Sequence, residues 1–170
     1  TSAMVVALLV GCTSTPTAKT TESSAPKPSP TLTGVPAPTS SDNAIHAAEE
    51  TASQYVALVN EIDLDGGKDA NRLESVATNP ALGLALPGFD AIAKRGDKFS
   101  GKNVLTFQQA YATTLKSSTQ SIPFGSVTID ACYDSTGVTD TLPNGSSAPR
   151  PPKLKTGRQI NVFYDPDTNT

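Results

Sequence analysis

Residues 13–41 restrict the possible fold more than any other stretch of this chain. The segment is mostly Thr, Ser, Pro and Ala, with scattered single charges and no aromatic residue. Such a composition cannot bury enough apolar surface to offset the conformational entropy lost on ordering. We therefore predict a disordered linker that spans about 30 Å when flexible and roughly 90 Å when fully extended. The folded domain is then confined to residues 42–170.

Residues 42–170 are enough for one domain with its own hydrophobic core. The chain has no Trp, five Phe and four Tyr, so the core must consist mainly of Val, Leu, Ile and Ala. Its net charge of −3 argues against a general nucleic-acid-binding protein. We therefore expect no nucleic-acid partner.

The first part of the domain has helical periodicity. Ser41 or Asp42 is the predicted N-cap of a helix of about twenty residues, which ends at Gly66-Gly67. A shorter helix capped by Asp69 follows. Asn79-Pro80 opens a third helix, with Asn as the cap and Pro at the first helical position. We expect this helix to kink or split at Pro87-Gly88 and to end at Gly96.

After residue 101 the apolar period changes from helical to alternating. The predicted inward-facing residues are Leu105, Phe107, Tyr111 and Leu115 in one strand, Val127, Ile129, Ala131 and Tyr133 in a second, and Ile160, Val162 and Tyr164 in a third. We expect the second strand to continue through residues 138–142. Helices followed by antiparallel strands indicate an α+β domain. The last residues resemble a hairpin turn without its return strand, so we expect the domain to be truncated at this end.

The apolar run of residues 3–10 ends in Leu9-Val10-Gly11-Cys12. This pattern resembles the lipobox of bacterial lipoproteins. The resemblance implies a signal peptide remnant over residues 1–11, signal peptidase II recognition through Leu9, Val10 and Gly11, and a lipid on Cys12. Residues 12–41 are then a lipidated cysteine and linker, anchored to the extracytoplasmic face of the cell membrane. An ordinary secretory signal is the alternative. A spanning helix is a weaker alternative, because it needs ~20 apolar residues and this run is much shorter. No basic residue precedes the run, so we expect a fragment.

Three segments carry a second resemblance: residues 55–60 (YVALVN), 65–69 (DGGKD) and 129–134 (IDACYD). They are similar to segments of uncharacterised actinobacterial lipoproteins with a nuclear-transport-factor-2-like, or SnoaL-like, domain. The resemblance implies three N-terminal helices packed on a curved antiparallel sheet, a cone that encloses a pocket. This fold family includes enzymes, binding modules and inert scaffolds, so the fold alone does not determine the function.

Few residues in the chain have the pattern of a chemical site. The acidic stretch of residues 63–69 partly matches a calcium loop, but Lys68 stands where that loop needs glycine, and a helix end explains the same residues. Cys132 lies in an apolar predicted strand, so we expect a small buried hydrophobe. A catalytic thiol would need a histidine nearby, and the chain's one histidine, His46, is predicted to lie on the surface. The basic run Arg150, Lys153, Lys155 and Arg158 indicates a solvated loop. We expect no metal and no cofactor.

These observations favour a membrane-anchored binding or interaction domain over an enzyme. Its expected partners are membrane lipid through Cys12, and a cell-envelope protein or a small apolar ligand. Candidates for the pocket wall are Tyr55, Phe107, Tyr111 and Tyr133, whose phenols and rings suit an apolar ligand. Two alternatives remain open: a lipid-tethered enzyme of the SnoaL-like type, and an accessory domain of a longer enzyme.

Overall fold

The structure, a computed structural model, describes the backbone of residues 4–7 and the whole of residues 36–117 and 120–165. The predictions on Leu9, Val10, Gly11 and Cys12, on the linker up to residue 35, and on the turn after Asp165 lie outside these residues. The described helices are α1 (Ser41–Leu64), a 3₁₀ helix (Ala70–Ser75) and α2 (Ala81–Arg95). The strands are β1 (Met4–Ala7), β2 (Lys98–Ser100), β3 (Val104–Lys116), β4 (Ser121–Asp134), β5 (Thr139–Thr141) and β6 (Lys155–Phe163). The predicted α+β class is confirmed.

The strands form two antiparallel sheets. The larger has the order β1-β6-β4-β3, and β2 pairs with β5 in a separate two-stranded sheet. Strand β1 comes from the stretch predicted to be a signal segment and pairs with β6 at the sheet edge, with Met4 opposite Val162. Strand β4 therefore lies at the centre of the larger sheet, between β3 and β6.

Helix α1 begins one residue earlier than predicted. Ser40, in an extended conformation, is the N-cap, and its side-chain oxygen accepts a hydrogen bond from the backbone N–H of Asn43 at 3.2 Å. This bond satisfies one of the free N–H groups in the first helical turn. The helix ends where predicted, because Gly66 and Gly67 take φ values of +68° and +79°, a region that favours glycine.

The two later helical segments differ from the predictions in detail. Asp69 precedes the 3₁₀ helix, but its φ is +53° and its side chain caps nothing. Helix α2 begins one residue later than predicted, because Pro80 is the N-cap and Ala81 the first helical residue. The Asn79 side chain, one residue before the N-cap, accepts from the N–H of Gly83 at 3.2 Å. Pro87 does not split α2, which continues through it to Arg95. The donor that Pro87 lacks would have bonded Gly83 one turn earlier, and both residues are exposed, so water can replace that bond.

A β-bulge in β3 makes the predicted alternation wrong. Phe107 lies opposite Ala131, but Gln109 lies opposite Asp130, so Gln108 is an extra residue between them. The extra residue reverses the phase of the strand. Ala110 and Ala112 therefore take the inward positions after the bulge, and Tyr111 faces outward with 45% of its surface exposed.

Residues 138–142 do not continue β4, which is the second correction among the strands. After Asp134 the chain turns, with the N–H of Val138 donating to the Ser135 carbonyl at 3.1 Å. Strand β5 then pairs with β2. The two chain segments cross very closely here, because a Cβ on Gly101 would lie within 1.9 Å of the Gly137 carbonyl oxygen.

The apolar interior has two parts. In the main core, Ala44, Ala48 and Ala52 bring α1 close to the inner face of the sheet, the face of β4 and β6 that carries Val127, Ile129, Ala131, Ile160 and Val162. In the second core, α1, the 3₁₀ helix and α2 meet through Ile62, Leu73, Val76 and Phe89. Tyr55 packs against both cores, and the space beside it is not filled.

Candidate functional site

A cavity of about 320 Å³ lies between the two cores. Its volume is in the range of sites that hold small molecules. Helices α1 and α2 form two walls, and the inner face of the sheet forms the third. Its lining residues are Ala52, Tyr55, Val56 and Val59 of α1; Ala81, Leu84, Ala85, Gly88, Phe89 and Ile92 of α2; and Leu105, Tyr133, Arg158 and Ile160 of the sheet.

Small residues on α2 explain why this space is empty. Ala81, Ala85 and Gly88 follow one another at helical spacing and all line the cavity, so one side of the helix has little volume to fill the gap. A Cβ added to Gly88 would meet no atom within 4 Å. Leu84, with 66% of its surface exposed, lies at the rim. Ala81 packs into the main core, whereas the space beside Ala85 and Gly88 stays open.

Three polar side chains interrupt the apolar walls: Tyr55, Tyr133 and Arg158. The guanidinium carbon of Arg158 lies 5.6 Å from the centroid of the Tyr133 ring, which is a cation–π distance. Arg158 lies opposite Ala131 on the inner face of the sheet, in phase with the buried Ile160 and Val162. The cationic group therefore sits on the side of the sheet that is otherwise apolar.

Burial raises the pKa of both tyrosines. For Tyr133, the nearby Asp63 and Tyr55 raise the pKa further, and Arg158 lowers it. A phenol with a raised pKa stays protonated at neutral pH and keeps its O–H donor. The cavity therefore presents two neutral phenols and one guanidinium, all of which can donate hydrogen bonds.

Asp63 is the acidic residue whose charge acts on Tyr133 in the cavity wall. It lies in the last turn of α1, and Asn103 donates from Nδ2 to its Oδ2 at 3.3 Å. Asn103 is itself held by Asn60, which accepts from its backbone N–H at 2.8 Å. Burial raises the pKa of Asp63 to about 6, Asn103 lowers it, and the charge of Asp140 raises it. Asp63 therefore titrates much closer to neutrality than an exposed aspartate does.

Two further carboxylates lie near the small sheet. Asp97 has a fully buried side chain that pairs with Arg95, and Arg95 donates from Nε to its Oδ2 at 2.9 Å. Burial and the charge of Asp97 raise the pKa of Asp140. In the part of the chain that the structure describes, no group of three or more His, Cys, Asp or Glu side chains could hold a metal ion. The acidic stretch of residues 63–69 is a helix end, as predicted.

The structure brings together only part of the predicted pocket wall. Tyr55 and Tyr133 line the cavity, whereas Phe107 packs against the main core and Tyr111 faces outward. His46 is exposed on α1, as predicted. Cys132 is half-buried on the opposite face of β4 from the cavity residues, so the prediction of a buried hydrophobe is wrong.

The prediction of a solvated loop holds for Arg150 and Lys153, which are exposed outside any strand, and is wrong for the other two residues of the basic run. Lys155 and Arg158 belong to β6, and Lys155 pairs with Asp134 at 2.8 Å. Arg150 donates to the Ser135 carbonyl at 2.7 Å. Sequence reasoning missed Arg158 as a cavity residue, although its two-residue spacing from Ile160 and Val162 is the signal that could have identified it. It also missed Asp63, for which no sequence signal exists.

Comparisons of the chain with protein-family profiles, curated proteins and solved structures return no match. Within the described residues 36–117 and 120–165, neither α1 nor α2 is long and apolar enough to cross a bilayer.

Proposed function

We propose that this protein is a binding protein that holds a small apolar ligand in the cavity between α1, α2 and the sheet. The observation that supports this proposal is a cavity of about 320 Å³ with apolar walls and three polar side chains. Burial of a ligand's apolar surface in such a site drives binding, and a few fixed polar groups orient the ligand. A cell-envelope protein that covers the same opening is the alternative partner.

Binding of a neutral apolar dye tests this proposal directly. We expect the full chain to increase the fluorescence of 1-naphthylamine, a neutral dye of a size that the cavity can hold, with saturation. Ala85→Phe places a large ring at a cavity-lining position of α2 and should weaken dye binding by at least about tenfold. Ala57→Phe makes the same change at an exposed position of α1 and should have no effect. Equal binding by both variants, or no binding by the wild type, would contradict the proposal.

We also propose that a lipid on Cys12 holds the protein at the extracytoplasmic face of the membrane. Support comes from the Leu9-Val10-Gly11-Cys12 pattern after an apolar run. Two or more acyl chains give stable retention, whereas a single chain does not. Expressed behind a complete signal segment in a bacterial host, the protein should incorporate labelled palmitate. Cys12→Ala should abolish labelling and Cys132→Ala should not. Unlabelled wild-type protein in the medium would contradict the anchor.

The cone architecture is a further proposal: three helices packed on a curved antiparallel sheet, as in nuclear-transport-factor-2-like domains. Three features support it. Helix α1 packs on the inner face of the sheet, a cavity lies between helices and sheet, and the β3 bulge at Gln108 bends that strand. An experimental structure of residues 36–165 tests the proposal, and a flat sheet would contradict it.

A lipid-tethered enzyme is the second candidate function, and Asp63 is the observation that favours it. A carboxyl group with a pKa of about 6 can exchange a proton at neutral pH, and Tyr133 nearby remains a donor. A screen for hydrolase and isomerase turnover tests this candidate. Turnover lost in Asp63→Asn and kept in His46→Ala would establish it, whereas turnover kept in Asp63→Asn would exclude Asp63 as the acid–base group.

A further inference from the structure

We infer that the ligand of this cavity is an amphiphile with one carboxylate, which pairs with Arg158. This inference rests on the proposed binding function and specifies the chemistry of the ligand. Arg158 is a cation on the inner face of the sheet, and it lines a cavity that is otherwise mostly apolar.

Arg158 has no anionic partner among the residues that the structure describes. The five ion pairs in that part of the chain involve Arg72 twice, Lys94, Arg95 and Lys155. The guanidinium lies over the Tyr133 ring, and this contact supplies no oxygen acceptor for its N–H groups. A half-buried guanidinium therefore keeps most of its five donors available, and a carboxylate matches their planar geometry with two parallel hydrogen bonds.

Tyr55 and Tyr133 strengthen the preference for a ligand head group that accepts hydrogen bonds. Tyr55 and Tyr133 line the same cavity as Arg158. Both phenols donate at neutral pH, because burial raises the pKa of each. A carboxylate has two oxygens with about four acceptor sites, so it can accept from the guanidinium and from a phenol together. An ammonium head group would meet no carboxylate among the cavity-lining residues and would be repelled by Arg158.

Asp63 does not neutralise Arg158. Its side chain accepts from Asn103, and the groups that act on its pKa are Asn103 and Asp140. Its charge acts on Tyr133 instead. At neutral pH this aspartate opposes a second negative charge close to Tyr133. The structure therefore favours a ligand with a single negative charge over a phosphate or a dicarboxylate.

The cavity volume sets the size of the apolar body. At about 30 Å³ for each water-sized group, a cavity of about 320 Å³ holds roughly ten non-hydrogen atoms. Octanoate has this size and one carboxylate. The aromatic acid 1-naphthoate is slightly larger and has the same head group, so it distinguishes a ring-shaped body from a chain.

Calorimetric titration of the full chain at pH 7 with octanoate and with 1-octanol tests the inference. The two probes have the same chain and differ in the head group. We expect octanoate to bind at least about tenfold more tightly, since only the carboxylate can form charge-assisted hydrogen bonds with Arg158. If 1-naphthoate binds more tightly than naphthalene, the cavity again prefers a carboxylate head group, here on a ligand with a ring-shaped body. Equal affinity for the acid and the neutral probe in both pairs would overturn the inference.

Variants of Arg158 identify the group that recognises the head. Arg158→Gln should reduce octanoate affinity to about that of 1-octanol, and Arg158→Lys should restore part of the difference. Lys153→Gln, an exposed change in the same basic run, should have no effect. Wild-type preference for octanoate that persists in Arg158→Gln would overturn the assignment to Arg158.

The neutral dye separates the two levels of the proposal. Dye binding should persist in Arg158→Gln, because the dye has no anionic head. A wild-type protein that binds the dye but does not distinguish octanoate from 1-octanol refutes the carboxylate inference alone. A wild-type protein that binds neither the dye nor any of the acids refutes the binding function itself.

Discussion

Asp63 shows how a single residue depends on its surroundings in this domain. In the sequence it is one of several aspartates around the end of α1. In the structure it is half-buried, held by Asn103, and close enough to Tyr133 to affect the pKa of that phenol. Its own raised pKa, about 6 against 3.8 for an exposed aspartate, has a consequence for stability.

The stability contribution of Asp63 should fall as the pH rises from about 4 to about 6. Well below pH 3.8 the group is protonated in both states, and the neutral form suits its half-buried site. As the pH rises, the unfolded chain ionises first, so ionisation favours unfolding until the folded pKa is passed. Allowing for solvent screening, we expect a loss of about 1 kcal/mol. Urea unfolding of the wild type at pH 4, 5, 6 and 7 measures it.

Two variants test whether Asp63 causes this slope of the unfolding free energy against pH. Asp63→Asn should flatten it while keeping an acceptor for Asn103, and Asn103→Ala should steepen it by removing the hydrogen bond that lowers the pKa of Asp63. Asp140, whose pKa burial also raises, contributes separately and remains in both variants. Hydrogen bonds from Lys155 and Thr136 lower the pKa of Asp134 to about 2, so Asp134 titrates below this range. An unchanged slope in Asp63→Asn would contradict the assignment.

At the scale of elements, the bulge in β3 decides which side chains reach the core. Phe107 packs against the main core before the bulge, and Tyr111 is exposed after it. We therefore expect Phe107→Ala to cost roughly 2–3 kcal/mol of unfolding free energy and Tyr111→Ala less than about 0.5 kcal/mol. Denaturant unfolding of the two variants measures the difference. Similar large losses would mean that the strand alternates without a bulge.

The close contact between the end of α1 and helix α2 requires the missing side chain of Gly67. Gly67 is buried, and a Cβ there would lie 2.4 Å from the Phe89 carbonyl oxygen and 3.0 Å from the Ala93 nitrogen of α2. Gly145 has a similar φ, +84° against +79°, but a Cβ there would meet no atom within 4 Å. The two positions thus differ in packing and not in backbone conformation.

The comparison of Gly67→Ala with Gly145→Ala separates packing from backbone strain. Gly145→Ala should cost about 1 kcal/mol, from the left-handed conformation alone. Gly67→Ala should cost roughly 3 kcal/mol, because the added methyl also pushes α2 away. Thermal and urea unfolding measure both losses. Equal losses would show that α2 can move without cost and that the cavity wall is not rigid.

For the whole molecule, the composition of residues 13–41 and the compact domain predict where proteases cut. Trypsin should cleave first after Lys19, because Lys27 is followed by Pro28 and the next basic residue is Lys68. Lys68 lies in the turn that leads from α1 to the 3₁₀ helix, next to the buried Gly67. Mass spectrometry should find a persistent fragment that begins at Thr20, and Lys19→Gln should delay the first cut. A first cut after Lys68 would contradict the domain boundary.

The sequence alone was sufficient for features that depend on neighbouring residues. The extent of α1, its end at Gly66-Gly67 and the α+β class all follow from local period and turn chemistry, and the structure has each of them. His46 was also predicted correctly, because its position relative to the apolar stripe of α1 is a local property. These features need no knowledge of what packs against them.

Tertiary structure alone decided the rest, because those features depend on contacts between distant segments. The bulge at Gln108 exists only in the pairing of β3 with β4, and β5 pairs with β2 instead of continuing β4. The cavity requires three small residues of α2 to face the sheet at a distance that the two cores set together. Arg158 becomes a cavity residue because β6 pairs with β4 in one register, and a shift of one residue would turn its side chain to the other face.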